Sequence, residues 1–385
     1  MSDAQLICEL PRVQELVAGW DVLAAINAAP ESSPAWMLGW WRHVAPEGAE
    51  LRVVAVHDRD ELIGIAPLYV EPGSASPGRY RLLANDLSGY TTPLALPHRA
   101  WEVAEAIAHT LTISEPLPSI LELAPLPAIS PWAMALRECW PGRFRPIAYR
   151  ADLADVPTVS LHQPSFDAWM QARSSRFRNN LSRYRRRFEQ AGGTERISTA
   201  ETVAGDIQTF ARLHAARWSG RRSRLVELGE RLPLLLGEVA HALLPEERFR
   251  LLILEIDGEP ICAYLSIVAG GEVVAVNLGW DERFKHLSAP RLAILSMIEE
   301  GFRQGDHRFN LGWGRVDYKR EFTNGSDAAT WEMLFPVGSQ LPLTLAHIAP
   351  AIASRQMRRS AKRLLPAAEV DRLHVLRKRI LRTRP

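Results

Sequence analysis

The chain has 385 residues, 47% of them hydrophobic and 23% charged, with a formal net charge of +2. That length exceeds one ordinary core and suits two, and the composition excludes a disordered chain. Cys8, Cys139 and Cys262 are too few and too scattered for a disulfide framework or a zinc site, and eleven histidines show no paired ligand spacing, so no metal is expected.

The opening MSDAQLICELPR lacks the basic and apolar regions of a secretory signal, so the expected location is the cytoplasm. SPAWMLGWWRHV (33–44) reads as a helix: Ser33 is the N-cap, Pro34 opens the first turn, and Trp36, Trp40 and Trp41 share one side. LRVVAVHDRDELIGIAPLYV (51–70) reads as two strands joined by a turn around Asp58 to Asp60. RLLAND, a helix at 99–113 and SILELAP follow. A passage holding Pro141, Pro146, Pro157 and Pro164 leads out, which places a domain boundary near residue 160.

The second part has a clearer order. Residues 165–190 read as one long helix, with Trp169, Phe177, Leu181, Tyr184 and Phe188 at helical spacing. Gly192-Gly193 stops it. A short strand at 194–198 precedes helices at 201–218 and 230–244. Three strands then run from 249 to 280, joined by tight turns at Asp257-Gly258 and Gly270-Gly271. A helix from Ser288 to Gln304, the strand RFNLG and the strand ATWEMLF complete the pattern. Met333 to Ser354 is uncharged, but Pro336, Pro342 and Pro350 argue against a membrane span, and it reads as a strand end plus linker.

Charge is unevenly placed. Residues 171–191 hold seven Arg against Glu189, and residues 351–385 hold eleven Lys or Arg against Glu369 and Asp371. The remainder is net acidic. Two basic segments on an acidic body suit anionic partners, with a solvated surface as the alternative. The C-terminal segment spaces Leu373, Val375, Leu376 and Ile380 helically among basic residues. That suits either peripheral contact with the inner face of an anionic membrane or a docked tail.

The order of elements, with NDLSGYTTPL (85–94), RSSRFRNNLSRYRRRFEQAGG (173–193), FKHLSAPRLAILSMIEEGFRQG (284–305) and FNLGWGRVDYKREF (309–322), resembles the GNAT acyltransferase superfamily. It is most similar to the CelD-like proteins of bacterial cellulose and exopolysaccharide operons, which are related to Fem-type aminoacyl ligases. The resemblance covers nearly everything up to residue 340. It implies an α/β (α+β) fold of two GNAT-like domains, 1–160 and 161–340, each a mostly antiparallel sheet flanked by helices, with 341–385 as linker and basic helical tail. No permanent cofactor is implied. The implied co-substrate is acyl-coenzyme A or an acyl-carrier protein, and the implied acceptor an amine or hydroxyl on a sugar or polysaccharide precursor. Two alternatives stand beside it: a Fem-like transfer from charged tRNA, and a non-catalytic adaptor.

In such a fold the donor phosphates rest on a helix N-terminus. Here that helix opens at Ser288-Ala289-Pro290-Arg291, where the family tends to carry a glycine and this chain has none. His286, Ser288, Ala289 and Arg291 are therefore donor-site candidates, with a plain capped helix start as the alternative. Gly312 and Gly314 let the chain turn closely at the end of RFNLG. Asp317 is a candidate base or acceptor-orienting group, Tyr318 a candidate acid for the leaving thiolate, and Lys319 a candidate for steadying an oxyanion or a phosphate. The competing reading is that Tyr318 packs and Lys319 pairs with Glu321. Asp86, Tyr90, Arg178, Asn179, Asn180, Asn277 and Trp313 are acceptor-side candidates.

Overall fold

The computed structural model describes residues 3–71, 78–220, 223–313 and 317–364. The first stretch runs β1 (Asp3–Ile7), α1 (Leu10–Glu15), α2 (Val17–Ile26), a 3-10 turn at Pro30–Ser32, α3 (Pro34–His43), β2 (Glu50–Asp58), β3 (Glu61–Val70), β4 (Arg79–Leu82), β5 (Leu94–Ala95), α4 (Ala100–Thr112), β6 (Ile120–Pro127), α5 (Trp132–Glu138) and β7 (Ile147–Ser160). The second runs α6 (Phe166–Gln171), α7 (Ser175–Gln190), β8 (Gly193–Ile197), α8 (Val203–Arg217), α9 (Arg224–Glu227), α10 (Arg231–Leu243), β9 (Phe249–Ile256), β10 (Glu259–Ala269) and β11 (Glu272–Trp280). A 3-10 segment at Glu282–Leu287, α11 (Ala289–Gln304), β12 (Arg308–Asn310), α12 (Asp317–Arg320), β13 (Gly325–Phe335) and α13 (Leu341–Leu364) complete it.

The α/β expectation holds, but the two sheets are one. The strand order is β1-β2-β3-β4-β6-β13-β7-β12-β11-β10-β9-β8, with β5 beside β3. Most pairs are antiparallel; β4–β6 and β11–β12 are parallel. The join is made by β13, which inserts between β6 and β7. The Pro-rich passage leading to the expected boundary near residue 160 contains β7, a central strand. Pro157 sits next to the short pairing of Thr158–Ser160 with β12, and its carbonyl accepts the Leu311 N–H.

Two further expectations are corrected. Residues 165–190 form two helices, because Ser174 breaks the first and caps the second by accepting the Phe177 N–H at 3.2 Å. The stretch after Phe335 is α13, a helix that carries Pro350 within it. Ile348 is buried, and Leu345 and Ile352 pack with it against Trp331, Met333 and Phe335 of β13. This burial outweighs the cost of an interior proline. No described helix is long and apolar enough to cross a membrane. The C-terminal basic segment with Leu373 to Ile380 lies outside the described residues, as does Gly314.

The two chain halves also share a core. Trp20, Trp36 and Trp40 pack in one cluster with Leu235, Val239, Phe249 and Ile267. Gly39 makes the α3–α10 approach feasible, since a Cβ there would lie 3.1 Å from Leu235 Cδ1. Arg248 spans to Asp21 with two bonds of 2.6 and 2.9 Å. On the other face, α6, α7 and α11 cover a second cluster built on Leu254, Tyr264, Ile294 and Phe309.

Candidate active site

The parallel pairing of β11 with β12 lasts three residues, Glu272–Val274 against Arg308–Asn310. β11 then bulges opposite Leu265–Ser266, which bends it away. Gly312 turns the other side with φ +73, and a Cβ there would sit 3.0 Å from the Ala275 carbonyl oxygen. The two central strands therefore splay apart, and the gap is a cavity of about 790 Å³. Its walls come from both faces of the sheet: Tyr264, Ile294 and Leu311 from one core, Leu87 and Val276 from the margin of the other.

One end of the cavity meets the start of α11, through Ser288, Pro290, Arg291 and Ile294. No side chain caps this helix, so the positive end of a 16-residue dipole faces the cavity. Ser288 takes the left-handed conformation (φ 57, ψ 38) that a glycine would take without strain. The missing glycine is thus a matter of residue type, and the turn itself is formed. Arg291 makes a bidentate pair with Glu321 at 2.8 and 3.0 Å, and its guanidinium lies 5.7 Å from the Tyr318 ring centroid. Lys285 and Arg217 add positive charge to the same cavity. His286 is exposed and Ala289 is buried; neither lines it.

Tyr318 lies in the wall, half-buried against the second core. Burial raises its pKa, and the nearby Arg217 and Arg291 guanidiniums oppose that shift. It is a protonated phenol at neutral pH. Tyr264 is 3% exposed, lines the cavity, and its hydroxyl has no hydrogen-bond partner among the described residues. The sequence reading missed it because a tyrosine inside an apolar strand looks like core.

Lys319 also lines the cavity. Its ammonium donates to the carbonyls of Leu311 at 2.7 Å, Trp313 at 3.2 Å and Gly312 at 3.4 Å. An ammonium has three donors, so this one is committed to the turn that ends β12. Burial pushes its pKa down to about 8. The pairing with Glu321 considered for it goes to Arg291 instead. Asp317 falls in α12, and the description of its side chain lies outside the described structure.

Of the acceptor-side candidates, Asp86, Asn277 and Trp313 line the cavity. Asp86 accepts from Trp40 Nε1 and Arg224 Nε, both at 2.7 Å. Asn277 Oδ1 accepts the Leu278 N–H at 2.9 Å, steadying β11 beyond its bulge. Trp313 Nε1 donates to the Gly89 carbonyl at 2.9 Å, closing the cavity against the first half of the chain. Tyr90 stands behind this wall with its hydroxyl buried, near Glu31 and Glu272. Arg178, Asn179 and Asn180 are not in the wall. The Arg178 guanidinium folds back onto the Gln171 and Arg173 carbonyls, and Asn180 accepts from Arg183. α7 instead packs beside α11 on the outer side.

Residues 175–320 match the family model described as "Acetyltransferase (GNAT) domain". Among curated proteins none matches the chain. Among solved structures it is similar to FemX, at 10% identity, covering 86% of this chain and 96% of that one with a TM-score of 0.57. It is likewise similar to L-PGS from Bacillus licheniformis, at 12% identity, 89% and 98% coverage and a TM-score of 0.54. A conserved protein of unknown function from Bacteroides thetaiotaomicron matches at 10% identity, 87% and 100% coverage and a TM-score of 0.53. At these identities the likeness establishes a shared fold over nearly the whole chain. Residues 175–320 are thus similar to a GNAT acetyltransferase domain, within a fold that these proteins share over nearly the whole chain.

Proposed function

We propose that the protein transfers an acyl group from an acyl-coenzyme A or acyl-carrier thioester to an amine or hydroxyl, in the cavity between β11 and β12. The observation that carries this reading is the joining of the strand splay, the uncapped start of α11 and the Tyr318 phenol in one cavity. Its volume lies within the range of small-molecule sites. The donor's phosphates would rest at Ser288–Arg291, with Lys285 and Arg291 adding positive charge. The thioester would then thread between the strands. Attack by the acceptor on the thioester carbon forms the C–N or C–O bond as the C–S bond breaks. Tyr318 gives its proton to the departing thiolate. Support for a sugar or polysaccharide precursor as acceptor comes from the CelD-like resemblance alone. The arginines of α7, which the tRNA alternative needs, are partly engaged: Arg178 with backbone and Arg185 with Glu299.

The test is thiol release from acetyl- and longer acyl-coenzyme A. Tyr318→Phe should keep donor binding and slow release by about 10²-fold, the lower end of general-acid contributions. An unchanged rate would remove Tyr318 from the chemistry.

A further inference from the structure

Glu31 belongs to the 3-10 turn Pro30–Ser32, in the half of the chain farthest in sequence from the acyl-transfer domain. Its side chain nevertheless lines the cavity, and the residue is only 4% exposed. Oε1 accepts the Gly89 N–H at 2.5 Å and Oε2 accepts the Tyr90 N–H at 2.8 Å. A carboxylate has about four acceptor sites, so each oxygen keeps a lone pair. The two N–H bonds fix the group's orientation, and among the described residues no cation pairs with it. Trp313 donates to the Gly89 carbonyl, so the same loop ties Glu31 to the strand end that shapes the acyl channel.

Its position relative to the sheet matters as much. The start of α11, Tyr318 and Tyr264 lie on the side of the second core. The Pro30–Ser32 turn packs against β10 and β11 from the other side, with Asp86–Gly89 and Trp218. A thioester entering from α11 and passing between the splayed strands would reach the end of the cavity that Glu31 lines. A nucleophile must then come from the face that Glu31 occupies. Asp86, the other carboxylate lining the cavity among the described residues, is engaged by Arg224 and Trp40.

Resting on the acyl-transfer reading, we propose that Glu31 is the proton acceptor for the incoming nucleophile, so that the first half of the chain supplies the base and the second half the acid. As the nucleophile's nitrogen or oxygen bonds to the thioester carbon, its proton passes to a Glu31 oxygen. The C–S electron pair leaves on sulfur, which takes the Tyr318 proton. Solvent then deprotonates Glu31 and reprotonates Tyr318. Burial raises Glu31 from the ordinary 4.5 to about 7, with repulsion from Glu272 adding to it and the two backbone bonds opposing it. That is the range in which a base works best at neutral pH. The groups near Glu31 that bear on this titration are Glu272 and the Tyr90 hydroxyl, with Arg308 and Asp327 beyond them.

The test uses hydroxylamine, a small nucleophile, with the full chain and acetyl-coenzyme A, following thiol release from pH 5.5 to 8.5. Wild type should show release rising through an apparent pKa near 7. Glu31→Gln should lower release at pH 8 by about 10²-fold and flatten that rise, with acetyl-coenzyme A binding retained by calorimetry. Glu31→Asp, which keeps the carboxylate, should recover part of the rate and the pH dependence. A Gln variant that binds donor and keeps the wild-type rate and profile would overturn the proposal. So would an Asp variant that folds, binds donor and is as flat as Gln. Wild type that binds acetyl-coenzyme A but releases no thiol with hydroxylamine would overturn it too. Failure of wild type to bind the donor at all would instead sink the acyl-transfer reading beneath it.

Discussion

Ser288 and Gly312 hold two left-handed turns in the cavity wall, and they differ in what a substitution should do. Gly312→Ala adds a Cβ at 3.0 Å from the Ala275 oxygen in a conformation that costs an L-residue about 1–2 kcal/mol. It should lower stability by about that amount in urea titration and weaken donor binding. Ser288→Gly relieves a similar strain, offset by backbone entropy, and should leave stability within about 1 kcal/mol and donor binding intact. Lys319→Met should behave differently from any catalytic loss. It leaves three carbonyls without their donor, at about 1–3 kcal/mol for each one that water cannot reach. The urea midpoint should therefore fall together with donor affinity, whereas Tyr318→Phe should move neither.

At the scale of elements, the sequence showed the repeating ones and hid the junction. Asp257-Gly258 and Gly270-Gly271 announced hairpins by residue type alone, and all four residues have positive φ. The helix from Ser288 and the strand RFNLG were legible for the same reason: local pattern and local structure agree. β7 was hidden because prolines usually mark turns and loops, and its partners β12 and β13 lie about 150 to 190 residues away in the chain. Tyr318, Asn277 and Trp313, which follow the glycine turn or the hairpin, were legible as candidates, and all three line the cavity. Glu31 was not, since only the fold brings an early turn against β10 and β11. Trp313 should prove the hinge of this arrangement. Trp313→Ala removes its bond to Gly89, and amide exchange at residues 86–91 should quicken while exchange in β2 and β3 stays unchanged.

Over the whole molecule, the inserted β13 and the shared tryptophan core make the two halves depend on each other. Charge buried between them carries a pH signature. Glu31 and Glu272 are each raised to about 7, mainly by burial. Their protonated forms favour the folded chain, so this stability is fully present below about 4.5 and is lost as pH rises through 7. His214, pushed down to about 4 by burial, works in the opposite sense below its ordinary 6.5. Lys319, pushed down to about 8, also opposes them and wins near pH 8; between about pH 7.5 and 6.5 the carboxyls dominate, and the urea midpoint should rise as pH falls. Glu272→Gln should reduce that slope.

The most direct test of the central claim is calorimetric titration of the full chain with acetyl-coenzyme A and a longer acyl-coenzyme A, with Arg291→Ala beside wild type. Acyl transfer at this cavity predicts micromolar binding. The substitution should weaken it at least tenfold, about 1.4 kcal/mol, because it removes a cation from the start of α11 and frees the Glu321 carboxylate beside it. Binding unaffected by the substitution would place the donor elsewhere, and no binding of either thioester would contradict coenzyme A as the donor.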